Sequence, residues 1–94
     1  MAVKSHIFRG KRYAINLSAT LAADTKGEAD SPDKAGPEIR VRRGERDLML
    51  LDTLIHEGLH ACLWDMDDEA VTATASDIAR LLWRLGYRRQ DCKR

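Results

Sequence analysis

From Asp47 to Gly86 the chain carries two helical periodicities in succession, interrupted only by an acidic turn. Leu48, Leu51, Ile55, Leu59 and Cys62 recur on one face, which predicts an amphipathic helix over 47–64 with Asp47 as its N-cap. Beyond Asp65 to Asp67, the residues Val71, Ala75, Ile78, Leu82 and Leu85 predict a second helix over 67–86. Arg80 and Arg84 lie toward the negative end of its dipole, and Gly86 is placed to stop it.

The first half of the chain has a different period. Tyr13, Ile15 and Leu17 alternate with Ala14, Asn16 and Ser18, the pattern of a strand with one buried face. KSHIF, joined to it through Arg9 and Gly10, supplies the other arm of a hairpin. Over 23–37, Gly27, Pro32, Gly36 and Pro37 break any regular element and predict a long exposed loop. EIRVRR then reads as a short strand ended by Gly44, with Ile39 and Val41 on one side and Arg40 and Arg42 on the other. The expected class is α+β, a short antiparallel sheet or hairpin followed by two helices. At 94 residues the chain is long enough for one small core and one site. Strands and loop would occupy 1–46, the helices 47–64 and 67–86, and a basic tail 87–94.

Sixteen Lys and Arg against 15 Asp and Glu leave a formal charge of +1, without the basic excess that drives non-specific nucleic-acid binding. A nucleic-acid partner is neither required nor excluded. The local runs RVRRGER, RLGYRRQDCKR and DMDDE read first as solvated faces. MAVKSHIFRG has no apolar core of a secretory signal, and no apolar run approaches a membrane span. Cys62 and Cys92 are too few for a disulfide framework. These features predict a soluble, cytoplasmic protein with no membrane partner.

The chemistry is concentrated in HEGLH. His56 and His60 are one helical turn apart, so both imidazoles leave the same side and can converge on one ion. Glu57 leans over the same edge, badly placed as a third ligand but able to reach a metal-bound water. This division of roles fits metal-assisted hydrolysis, in which zinc lowers the pKa of its water from about 15.7 to about 7 and a carboxylate takes the proton. A catalytic zinc (Zn2+) also needs a third protein ligand and an open position. Asp65, Asp67, Asp68 and Glu69 are the candidates; capping is assigned to the aspartates and ligation to Glu69, which has the longer reach. Glu69 opens EAVTATAS, a run of mostly small side chains that lets the second helix approach the first closely.

HEGLH followed by a helix bearing E-x-x-x-A, Glu69 to Ala73, resembles the gluzincin group of zinc metallopeptidases, in particular its very small phage-type and minigluzincin-like members. The resemblance covers roughly Glu38 to Tyr87 and implies a minimal zincin-like fold acting on peptide or protein. It implies His56, His60 and Glu69 as zinc ligands and Glu57 as general base. The chain departs from larger members in its short gap between His60 and Glu69 and in its lack of room for a second subdomain. A SprT-like site with a third histidine is disfavoured because no histidine follows His60.

Further roles follow from position. Asp52, one turn before His56, is expected to accept the ring N–H that faces away from the metal, and Asp77 to do the same for the other ligands. By the same resemblance EIRVRR becomes the strand that pairs with substrate, through the backbone of Ile39, Arg40, Val41 and Arg42. Tyr13, Tyr87, Arg80 and His6 are each chemically able to stabilise an oxyanion, and none is assigned. The competing readings are a zinc-containing binding module without turnover, contacting protein or nucleic acid, and a metal-free helical interaction protein.

Overall fold

Arg9 and Gly10 turn the chain back on itself with φ of 48° and 85°, positive at both central positions as a two-residue type I′ hairpin requires. The turn joins β1 (Ser5–Phe8) to β2 (Lys11–Ala19), which pair antiparallel with His6 opposite Tyr13. The structure is a computed structural model, and it describes residues 3–89. The predicted basic tail therefore lies mostly outside the described residues.

The expected loop over 23–37 is not wholly irregular. Gly27–Ala29 forms a third strand, β3, antiparallel to β4 (Glu38–Arg42), with Gly27 opposite Val41 and Ala29 opposite Ile39. A strand this short shows no alternation, so no sequence period announces it. β4 also pairs with β2, in parallel, and the sheet order is β1-β2-β4-β3. The class is α+β as expected, with a mixed sheet in place of an antiparallel one.

Arg40 fastens β3 to β4. Its guanidinium reaches Asp30 at 2.8 Å, Glu28 at 3.0 Å and Glu38 at 3.1 Å. The Asp30 carboxylate also accepts the Glu38 backbone N–H at 2.9 Å. These bonds hold the Asp30 carboxyl down at about 2, the Arg40 bond contributing most. Arg42 donates to the carbonyls of Ala22 and Thr25 and pins the approach to β3.

α1 (Asp47–Cys62) packs on β1, β3 and β4 and also against α2 (Asp68–Arg84). With two neighbours, its most buried positions are Leu50, Thr53, Glu57 and Ala61. The predicted stripe of Leu48, Leu51, Ile55, Leu59 and Cys62 is half-buried. The N-cap is Arg46, which makes no side-chain cap bond, and Asp47 is instead the first helical residue, at φ 55°.

α2 begins as capping chemistry dictates, with Asp67 accepting the Ala70 N–H at 3.2 Å. It ends at Gly86, φ 95°, where the N–H groups of Gly86 and Tyr87 donate to the carbonyls of Trp83 and Leu82, a Schellman closure. Its buried side chains are Val71, Ala75 and Ala79, whereas Ile78 and Leu85 are exposed, contrary to the predicted stripe. Alanines carry the contact because the helices lie close together. The main core combines Tyr13, Ile39, Val41, Leu50 and Ala61, with Phe8, Ile15, Leu17, Ala29 and Leu54 around it. Among the described residues no helix is long and apolar enough to cross a membrane.

Candidate functional site

α1 lies beneath the outer strand of the sheet, and this crossing creates the site. β3 ends the strand order and is paired on one side only, so its other edge faces outward beside α1. Two adjoining clefts open there, and Gly27, His56 and Glu57 line both. Glu28, Ala29, His60, Trp64, Asp68 and Thr72 complete one cleft; Met49, Asp52, Thr53 and the 24–26 segment complete the other.

The HEGLH side chains divide by depth. Glu57 is buried while His56 and His60 are half-buried at the rim, which follows from the tight seat of Glu57 against β3. The two imidazole centroids are 4.9 Å apart with their planes at 66°. Trp64, just past the end of α1, sets its ring 6.1 Å from that of His60 and walls the cleft.

Electrostatics suit these groups to different tasks. Burial, and then the His60 charge, push the His56 pKa down, so its neutral form is favoured at neutral pH. Neutral imidazole is the form that binds a metal. Burial, and then the Glu28 charge, push the Glu57 carboxyl up to about 7, with Arg40 opposing. No buried side-chain polar atom among the described residues lacks a partner. No hydrogen bond contributes to the rise at Glu57, so its carboxyl oxygens are reached by cleft solvent.

The carboxylate that meets the histidines is Asp68. Its Oδ1 lies 3.7 Å from His60 Nε2, and its side chain is 91% exposed. Two ligand atoms on a tetrahedral zinc, each about 2.1 Å from it, lie about 3.4 Å apart. Glu69, the expected third ligand, is exposed and borders neither cleft. The difference is helix phase: Asp68 and Thr72, one turn apart, both reach the cleft, and Glu69 falls a residue further round. Among the described residues, no group of three or more His, Cys, Asp or Glu is already drawn together to hold a metal ion.

Three other expectations meet the structure differently. Asp52 borders the same cleft as His56 and raises its pKa by charge, but its carboxylate accepts the Ser76 hydroxyl at 3.0 Å and so ties α1 to α2. Asp77 is exposed to solvent, paired with Arg80 at 3.7 Å, and lines neither cleft. The substrate-strand assignment to Ile39, Arg40, Val41 and Arg42 is overturned, because β4 is an interior strand with β2 and β3 on its two sides. Ile39 and Val41 are 2% and 0% exposed, and no free backbone edge remains there. The free edge belongs to β3.

Of the oxyanion candidates, Tyr13 is buried with its hydroxyl donated to the Asp30 carbonyl at 2.9 Å, and His6 packs on Phe8 at 4.8 Å. Neither lines a cleft, nor do Tyr87 and Arg80. Sequence reasoning missed Gly27, Trp64 and Thr72 as parts of the site. Trp64 could have been suggested by its place four residues after His60, whereas Thr72 shares the phase of Asp68, which the sequence reading assigns to capping, and so carries no signal of its own. Comparison with family models, with curated proteins and with solved structures finds no match to this chain.

Proposed function

We propose that the chain is a zinc-dependent hydrolase, a metallopeptidase of minimal gluzincin-like type. The observation that carries this reading is a buried glutamate reaching cleft solvent between two rim histidines, directly beside the free edge of a strand. His56 and His60 would hold the metal with Asp68 as third ligand, in place of the glutamate that the gluzincin pattern supplies. The donor set is chemically right for zinc, two imidazoles and a carboxylate. Asp68 is exposed, so moving its carboxylate toward the histidines costs little beyond a rotamer change, of order 1 kcal/mol.

When bound, zinc supplies Lewis acidity and acidifies water. Glu57 accepts a proton from the attacking water and returns it to the departing amine nitrogen. The β3 edge offers backbone N–H and C=O groups along which an extended peptide can add as a further strand. Trp64 and Met49, both partly exposed, form apolar walls at opposite sides of the histidines.

The test joins metal content to turnover. Purified protein, stripped of loosely held metal, is expected to retain about one zinc per chain by elemental analysis. It should also cleave members of a fluorescence-quenched peptide library. Glu57→Gln is expected to keep the zinc and lose at least about 100-fold in cleavage rate. Folded wild type without zinc would defeat the proposal. Zinc retained with no cleavage by wild type would favour the binding module.

A further inference from the structure

α2 carries a second apolar stripe that its own fold leaves uncovered. Val71, Ala75 and Ala79 are spent on burial within the chain. About a quarter turn away, Thr74, Ile78, Leu81 and Leu85 recur at intervals of four, three and four residues, the spacing of a coiled-coil seam. Ile78, Leu81 and Leu85 are 39%, 53% and 64% exposed, and Thr74, the small residue at the head of the seam, is half-buried. Large apolar side chains so aligned on one helix face mark a contact site.

The flank of the stripe identifies the partner. On the side away from the buried face lie Asp77 and Arg84, seven residues apart and so at equivalent positions along the seam. Their charges are opposite. A two-fold axis passing between Ile78 and Leu81 would bring Asp77 of one copy to Arg84 of the other, twice. The same axis sets Ile78 against Leu81, and the smaller Thr74, with its methyl group, against the larger Leu85, so volume and charge are both self-complementary. A parallel arrangement gains neither match, because the opposing flank of the seam, Ala75 and Leu82, is apolar and turned toward the chain's own interior. The internal contact of Asp77 with Arg80 is no obstacle, since both side chains are largely in solvent at 3.7 Å.

We infer that this face docks a second copy of the same chain, α2 against α2, antiparallel, forming a two-fold homodimer. The face is separate from the zinc site, which opens from another side of α2 through Asp68 and Thr72.

Sedimentation equilibrium of the full chain, from micromolar to millimolar concentration, provides the test. A reversible monomer–dimer equilibrium is expected. Leu81→Glu and Leu85→Glu, both at exposed positions, should each weaken it at least about tenfold, the measure of an interface hot spot. Circular dichroism should be unchanged in whichever of the two is folded. Asp77→Arg and Arg84→Asp are each expected to weaken the dimer about two- to fivefold, and the double reversal to restore it. A monomer at every concentration, an assembly larger than a dimer, or a dimer indifferent to Leu81→Glu and Leu85→Glu would overturn the proposal. Failure of the double reversal to recover association would overturn the antiparallel arrangement.

Discussion

Gly27 rests against Glu57 in space that no side chain could share. A Cβ at Gly27 would lie 3.0 Å from Glu57 Oε2, 3.1 Å from Glu57 Cγ and 2.7 Å from Thr53 Cγ2. Thr53 and Glu57 form consecutive turns of one buried ridge on α1, and β3 sits on it. The need for glycine here is therefore spatial. Gly27→Ala is expected to cost about 1–3 kcal/mol in stability through overpacking. If the chain is the hydrolase proposed, Gly27→Ala should also lower its rate by up to about 100-fold, because Glu57 is displaced. Thermal unfolding and initial rates check both effects. Wild-type values for both would mean that β3 is not seated on α1.

The carboxylates at the start of α2 can be separated by metal affinity. Asp68 approaches His60, whereas Glu69 is exposed outside the clefts. If zinc is held as proposed, Asp68→Asn should weaken its binding by more than the roughly tenfold that loss of a supporting residue commonly costs. Glu69→Gln should leave it nearly unchanged. Titration against a chromophoric chelator measures each. Zinc affinity lost in Glu69→Gln and kept in Asp68→Asn would restore the glutamate that the sequence pattern favours.

The parts of this site are unequally visible in the sequence. His56, Glu57 and His60 are legible because residues four apart on a helix share a face, and both helices and the Arg9-Gly10 hairpin are legible for similar local reasons. β3 is hidden because three residues carry no period, and its partner is chosen by Arg40 and Asp30, ten positions apart. Alternation marks β4 as a strand and the gluzincin resemblance makes it the substrate edge, although its Ile39 and Val41 face the core and both its sides are paired. Asp68 and Glu69 differ by about 100° of helix phase, and which one faces His60 depends on how α2 rotates against α1. That rotation is set by packing of Val71, Ala75 and Ala79, a tertiary effect without a local signature.

Asp30 makes part of the stability dependent on pH. Its folded pKa of about 2 lies below the ordinary 3.8, so the folded state favours the ionised form. The stabilisation is complete above the ordinary value and is lost as pH falls from about 4 to about 2. Allowing for solvent around Arg40, which is itself partly exposed, the contribution is on the order of 1–2 kcal/mol. Asp30→Asn should be less stable than wild type by this amount at pH 7, and the gap should close near pH 2. Denaturant midpoints at the two pH values check it. A gap that did not change with pH would assign the cost to geometry and not to charge.

Tyr13 connects this ion-pair cluster to the centre of the core. Its ring is fully buried against Phe8, with centroids 5.6 Å apart, and its hydroxyl reaches out of the core to the Asp30 carbonyl at 2.9 Å. That carbonyl lies one residue beyond β3, so the bond anchors the strand that closes over Glu57. Tyr13→Phe keeps the ring and removes only the donor, and is expected to cost about 1–2 kcal/mol. Because Asp30 serves both bonds, Tyr13→Phe and Asp30→Asn act on one network and their costs should not add. Amide exchange would locate the effect: protection should fall first at Asp30, just past the shortest strand in the sheet, whose N–H donates to the Glu38 carbonyl at 3.1 Å, before it falls in β2. Equal loss of protection in β2 and β3 would instead make Tyr13 a support of the whole core, with no particular bearing on the strand beside the site.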